Sequence, residues 1–403
     1  MIGDAAQKLI TDPLPVARTA PASGMSLLRE TCWPNELEIL LLQAGLWTPE
    51  RALKAWEKFC ASISDIEALG DGCYRLFPLV AGNLQNQKGP VPHLEHICGV
   101  LRHAWSKKQT LIRDTTPLFH ALQEAGIPFL LLKGAALAAA YRRQMAVRPM
   151  VDIDILIRPH DLEKSVVVLG RLGSTFPGIL TAERLWELLR FRHEITMRGK
   201  AGNDLDVHWY LISDSRDVAA EDSFWEDSVP CDFPAVKART LCPSDQILHT
   251  CMHGTQWNEV SPSRWLADAA ILLRDGIDWK RLESQAKRLC QLRPVRDTLL
   301  YLNKLEIELP AGVLEHWTKM KMTDIEALEG SYRASRPNLR ERTKQLAWIY
   351  LRLTRHLSYF EFFRQLPAYM AQIHHFRAYS RRVKFLIYLV FLVLSGRRST
   401  LGR

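Results

Sequence analysis

Residues 127–157 read IPFLLLKGAALAAAYRRQMAVRPMVDIDILI, and the architecture expected of the chain follows from them. The bulky apolar run IPFLLL has the length and composition of a buried strand. Lys133-Gly134 interrupts it, and AALAAAYRR is a strong helix former. From Val151 to Ile157 polar and apolar residues alternate, as on a half-buried strand. Side chains on a strand point alternately to its two faces, so Asp152 and Asp154 share one face while Ile153 and Ile155 take the other. Two carboxylates side by side repel each other unless a cation sits between them. Hard oxygen ligands of this kind suit Mg²⁺, or Mn²⁺ in its place, which is held by one or two carboxylates plus substrate phosphates. A solvated strand edge is the plainer reading of Asp152-Ile153-Asp154, and the three residues alone do not choose between the two.

Downstream, Phe191–Arg198 and Asp204–Leu211 read as two strands of a hairpin joined by GKAGN. On the second strand Asp204, Asp206 and His208 share a face, with Leu205, Val207 and Trp209 on the other. If that strand lies beside the first, a third carboxylate reaches the same metal pair, and a two-metal site for an in-line displacement becomes available. Upstream, Lys133-Gly134-Ala135-Ala136 lies where a strand feeds a helix. Free N–H groups at a helix start favour phosphate, and glycine and alanine let the backbone approach it; read alone, KGAA is also simply a turn.

These residues together resemble the nucleotidyltransferase superfamily of DNA polymerase β-like folds, and more closely a bacterial family known as uncharacterised nucleotidyltransferases. LLLKGAALAAAYRR, RPMVDIDILI, LDVHW, HTCMHG and RWLADAAILL carry the resemblance from about Leu101 to Arg274. The resemblance implies Asp152 and Asp154 as the metal-binding pair and Asp206 as the third carboxylate, which would also activate the acceptor hydroxyl. It implies Lys133, Gly134 and Ala135 at the triphosphate, and Arg148 paired with a phosphate. His208 would be a neighbour of the metal or a phosphate contact. The implied reaction is Mg²⁺-dependent transfer of a nucleoside monophosphate, AMP from ATP, to an unidentified small molecule, peptide or protein, with release of pyrophosphate. Where most of the superfamily has Gly-Ser, this chain has Gly134-Ala135 and so no hydroxyl for a phosphate, with Lys133 available to compensate.

Outward from this centre, the fold class expected is α+β, with a small mixed-sheet core flanked by helical lobes. Its parts are a loose arm (1–24), an N-terminal helical lobe (25–125), the catalytic core (126–240), a helical lobe closing the cleft (241–330) and a basic helical end (331–403). His96–Ala125 reads as one long helix ending at Gly126. Ser244 and Ser263 are candidate N-caps, and the stretch before Cys242 reads as a connector. His249 and His253 of HTCMH would share a helix face, either as a zinc pair or, more simply, packed on the sheet. Arg264 and Asp268 form an i,i+4 pair, for which a helix-surface ion pair is the plainer reading, while the family resemblance implies a place near the substrate cleft. His193 either faces the cleft or satisfies the hairpin. Trp56, Trp105, Trp186, Trp257 and Trp265 read as core.

The 403 residues are 47% hydrophobic and carry a net charge of +9. From Ser331 onward there are 15 Lys or Arg against 2 Asp or Glu, while the first 330 residues hold 38 against 42. The chain is thus a mildly acidic body with a basic end that suits an anionic partner. Within that end FLIYLVFLVL (Phe385–Leu394) is bounded by Arg381-Arg382 and Arg397-Arg398. Ten residues are half of what a bilayer span needs, about 20, leaving a buried helix or a peripheral membrane contact through residues 381–398. The basic end lacks the pattern of a nucleic-acid fold, so nucleic acid is not an expected partner. The first residues hold no apolar signal core and the eight cysteines no CxxC pair, which points to a cytoplasmic protein without a disulfide framework. Two rivals remain: a glycosyltransferase using DxD to hold a sugar nucleotide, and a non-catalytic scaffold acting through its basic end.

Overall fold

The computed structural model describes residues 31–394 except 141–146, 177–184, 186–188, 214, 217, 235, 259–262, 275, 324–325, 327–329, 331–332, 337, 355–356, 374–375 and 377–378. The expected arm (1–24), Trp186 and Arg397-Arg398 lie outside the described residues.

A single six-stranded mixed sheet organises the described chain. Its strands are β1 (Phe129–Leu132), β2 (Asp152–Ile157), β3 (Glu194–Arg198), β4 (Asp204–His208), β5 (Val229–Phe233) and β6 (Val236–Thr240), in the order β3-β4-β2-β1-β6-β5. β2 runs parallel to β4 and antiparallel to β1, and β1 runs parallel to β6. The β3–β4 hairpin turns at the expected GKAGN, with the Gly199 N–H donating to the Asn203 carbonyl at 2.8 Å. The β5–β6 hairpin is a correction, since its residues read as a connector. Pro230 hid it: proline donates nothing to a ladder and is confined to edges, and β5 is the edge strand.

The two faces of the sheet belong to different cores. Ile153, Ile155, Ile157, Leu205 and Val207 pack with Phe119 and Leu122 of the long helix Leu94–Glu124 and with Leu169 of the helix Leu162–Arg171. On the carboxylate face, Leu130, Leu132 and Leu156 join one continuous core with Leu41, Trp56 and Phe77 from the N-terminal helices and Leu248, Trp265 and Leu299 from the helices after the sheet. The N-terminal helices and those of residues 243–304 are therefore parts of one cap over this face. Asn35 and Glu38 join its two ends. They form a capping box on the helix Glu36–Leu46, and the Glu38 carboxylate also accepts from the Ser263 hydroxyl at 2.7 Å.

That bond explains why Ser263, although it precedes the helix Arg264–Leu272, makes no side-chain cap. Ser244 is not a cap at all: Cys242 precedes the helix Pro243–Gly254, and the Ser244 hydroxyl donates to the Asp278 carbonyl. The long helix runs Leu94–Glu124 and ends beside Gly126 in the left-handed region, as expected. β3 begins at Glu194 rather than Phe191, because the Phe191 ring packs on Tyr369 of the C-terminal helices, 5.4 Å away. Trp56 and Trp265 are core, Trp257 is half-buried, and Trp105 is 51% exposed on the outer side of its helix.

Helices Leu339–Leu353, Tyr359–Gln372 and Tyr379–Leu394 form a third core around Trp348, Tyr350, Phe362 and Phe385. The apolar run splits between the two readings it allowed. Phe385, Leu389 and Leu392 are buried, whereas Ile387 is 66%, Phe391 56% and Leu394 81% exposed.

Candidate active site

The parallel pairing of β2 with β4 sets Asp154 beside Asp206 and Asp152 beside Asp204. The condition for a third carboxylate on the same face is therefore met. Asp204 lies at the outer end, paired with Arg198. Leu132, the last residue of β1, pairs with Asp154, so the next side chain reaches across. The Lys133 Nζ lies 2.6 Å from Asp154 Oδ1. Lys133 holds φ 42, in the left-handed region that costs a non-glycine residue about 1 kcal/mol, where the strand passes directly into the helix Lys133–Ala140. On the other side of Asp154 the His208 Nε2 lies 3.1 Å from the same Oδ1 and 3.0 Å from Glu194 Oε2.

These contacts divide the three aspartates. Burial opposes ionisation of Asp154, but the Lys133 ammonium and the His208 hydrogen bond more than offset it and hold the carboxyl well below the usual range. Lys133 is in turn kept protonated: burial works against its charge and the Asp154 and Glu194 carboxylates outweigh it. At Asp152 the balance is the reverse: burial together with the Asp154 and Asp206 carboxylates outweighs Lys133 and Arg148 and raises it to about 6. Asp206 is also raised, by burial first and then by Asp154 and Glu194, although Thr196 donates a hydrogen bond to it. Its Oδ1 is buried with no hydrogen-bond partner. Two carboxylates short of positive charge, one with an orphaned buried oxygen, are the donor set that a divalent cation satisfies, so the residues fit the expected Mg²⁺.

A cleft of about 350 Å³ opens between this sheet edge and the cap. Lys133, Gly134, Asp152 and Asp154 form one wall, and His249, His253 and Arg264 the other. Arg148, expected on a phosphate, is bound to Asp268, its Nε 3.2 Å from Oδ1 and its Nη2 3.1 Å from Oδ2. Arg264 Nε is 3.6 Å from the same carboxylate, and the pair is buried in the cleft wall, where the family resemblance put it, rather than on a helix surface. Gly134 is glycine because Arg148 crosses it: an added Cβ would stand 2.6 Å from Arg148 Nη1. The His249 and His253 rings, 6.3 Å apart, are held neutral, His249 by burial and then Lys133, His253 by Lys133 first and pushed down to about 3. Behind the wall Lys108 is completely buried, and burial with the nearby Arg148 and Arg264 lowers it to about 8.

Among the described residues, one set of three His, Cys, Asp or Glu side chains has ligand atoms within 4.8 Å of one another: His193, Glu194 and His208. HTCMH is thus no metal cluster there. Glu194 and Lys108 are not among the residues that the motifs single out. For Glu194 a signal exists, because the GKAGN turn fixes the hairpin register and puts Glu194 opposite His208.

Gly254, the last residue of HTCMHG, is required by Trp265. A Cβ there would stand 2.1 Å from the indole Cδ2, and that ring is itself buried. Gly254→Ala is expected to lower stability by about 1–3 kcal/mol through overpacking, measured by urea unfolding of the full chain. Unchanged unfolding would show that the cap yields freely at this point.

Residues 74–305 match the family described as uncharacterised nucleotidyltransferase. The chain belongs to this family. It is a nucleotidyltransferase, and its basic C-terminal helices lie beyond the matched span. Among solved structures it is similar to the antibiotic-resistance factor ANT(2'')-Ia, with TM-score 0.32 and 13% identity over 50% of this chain and 98% of that one. It is also similar to an antigenic nucleotidyltransferase-like protein from Paracoccidioides brasiliensis, with TM-score 0.32 and 13% identity over 51% of this chain and 96% of that one. No curated protein matches this nucleotidyltransferase in sequence.

Proposed function

We propose that this nucleotidyltransferase transfers AMP from ATP to a hydroxyl of its acceptor and releases pyrophosphate. The observation that carries the reading is the in-register pair Asp154 and Asp206, with Asp152 and Asp154 lining a cleft whose walls also present Arg264 and Lys133. Asp152, Asp154 and Asp206 would hold Mg²⁺ (or Mn²⁺), which supplies charge neutralisation at the phosphates. Asp206, with its raised pKa and unpaired oxygen, takes the proton of the acceptor hydroxyl. The acceptor oxygen then bonds to the α-phosphorus as the bond to the bridging oxygen breaks, and pyrophosphate carries away that electron pair. Lys133 fixes Asp154 as a carboxylate throughout; Gly134 lines the cleft beneath Arg148, whereas Ala135, expected at the triphosphate, is buried in the core on the other face of the sheet. Positioning and charge supply most of the catalysis in such displacements. Membership of the family favours this over sugar transfer. The test is incubation with each α-labelled NTP, Mg²⁺ and cell extract: label moving from ATP into an acceptor supports the reading, and the absence of both transfer and nucleotide binding sinks it.

We propose also that the helix Tyr379–Leu394 rests on an anionic lipid surface. Its exposed residues Val383, Ile387, Val390, Phe391 and Leu394 follow one helical face, with Arg382 and Lys384 at its cationic end. No described helix is long and apolar enough to cross a membrane. Ile387→Asp with Phe391→Asp is expected to cut co-sedimentation with phosphatidylserine vesicles at least tenfold. Equal sedimentation of the variant, or none by the wild type, would remove the idea.

A further inference from the structure

The hairpin that carries Asp206 also brings together three side chains, of which nucleotidyl transfer uses only His208, as a partner of Asp154. His193 lies just before β3, Glu194 opens it, and His208 closes β4 directly opposite. The His193 Nε2 is 3.4 Å and the His208 Nε2 3.0 Å from one and the same oxygen, Glu194 Oε2. The two rings stand 5.5 Å apart at 61°. From this convergence we infer a transition-metal site, His193–Glu194–His208, adjacent to and distinct from the aspartate site, that takes Zn²⁺ in preference to Mg²⁺.

Three points support it. A tetrahedral ion with bonds of about 2.0–2.1 Å places neighbouring ligand atoms about 3.3 Å apart, and the two separations above bracket that spacing. One ring nitrogen of each imidazole and one Glu194 oxygen lie within 4.8 Å of one another, close enough for a single ion between them to meet all three. Two imidazoles and a carboxylate are also the three-ligand pattern of open zinc sites, whereas Mg²⁺ prefers an all-oxygen octahedron. The site is reachable, since the side chains of His193 and Glu194 are 27% and 36% exposed while His208 is buried. Solvent would fill the remaining position. In this arrangement His208 is a metal ligand rather than a phosphate contact. Because its Nε2 also touches Asp154, occupancy would bear on the neighbouring aspartates.

The test uses the full chain stripped with EDTA. Titration with Co²⁺ is expected to give the intense visible bands of a tetrahedral site, with one equivalent bound and displaced by one equivalent of Zn²⁺ but not by millimolar Mg²⁺. His193→Ala and the milder His193→Gln, each shown folded by its circular dichroism, should weaken Zn²⁺ binding at least a hundredfold. Asp152→Asn should retain Zn²⁺ while losing nucleotidyl transfer, which separates this inference from the proposed function. Absence of the Co²⁺ bands in the wild type overturns it, as does Zn²⁺ binding that is unchanged in both folded His193 variants or lost in Asp152→Asn.

Discussion

Asp152→Asn is expected to slow pyrophosphate release by about a thousandfold, a loss of about 4 kcal/mol in transition-state stabilisation, and at the same time to make the metal-free protein more stable. Both effects follow from one circumstance. Asp152 shares its sheet face with Asp154 and Asp206, and burial with these two carboxylates outweighs Lys133 and Arg148 and raises its pKa to about 6. A group whose folded pKa lies above its unfolded value of 3.8 binds more protons in the native state, so its charge costs stability as pH rises between the two values. A shift of that size corresponds to at most about 3 kcal/mol, and solvent screening at this partly open position brings the gain on neutralisation nearer to about 1 kcal/mol. In EDTA at pH 7 the asparagine variant should therefore unfold at higher urea than the wild type. Below about pH 3 the two should coincide, because Asp152 is then protonated in both the folded and the unfolded wild type. Label transfer from ATP measures the first effect and urea titration the second. A variant that transfers label at the wild-type rate would remove Asp152 from the metal-binding set, and one destabilised at pH 7 would mean that its carboxylate has a partner.

The centre of this fold was legible because residues 127–157 combine local signals of different kinds. Alternation placed Asp152 and Asp154 on one face, and the break at Lys133-Gly134 separated strand from helix. What stayed hidden depends on contacts far apart in sequence. Arg148 could be seen as a cation near the site, but that it would be clamped by Asp268, 120 residues later, is fixed by the packing of the cap on the sheet. The same packing explains Gly134 and Gly254, whose missing side chains make room for Arg148 and Trp265. Helical periodicity identified the elements after Cys242, but nothing periodic says that they share a core with helices near residue 40. β5 is hidden for a local reason, since Pro230 signals a break in most contexts and is tolerated here because β5 is the edge of the described sheet.

Lys133→Met is expected to cost about 3 kcal/mol of stability at neutral pH. Asp154 is 3% exposed and has the Lys133 ammonium 2.6 Å away. Without it the carboxylate keeps only the shared His208 nitrogen, and the long apolar side chain fills the space without supplying charge. The pH dependence identifies the cause. In the wild type the depressed pKa of Asp154 contributes stability above its unfolded value of 3.8, lost as pH falls through its folded value. Lys133, raised above 10.5, contributes below that value and loses it as pH rises through its own. The difference between wild type and variant should therefore form a plateau from about pH 5 to 10 and shrink on either side. Lys133→Gly separates the charge from the backbone, because glycine accepts φ 42 without strain. It should lose the same ion pair yet sit above the methionine variant by about 1 kcal/mol. Urea unfolding of the three proteins across pH gives the answer. A methionine variant as stable as wild type on the plateau would mean that His208 alone holds Asp154 charged, and Lys133 would then be free to meet the phosphates of the nucleotide.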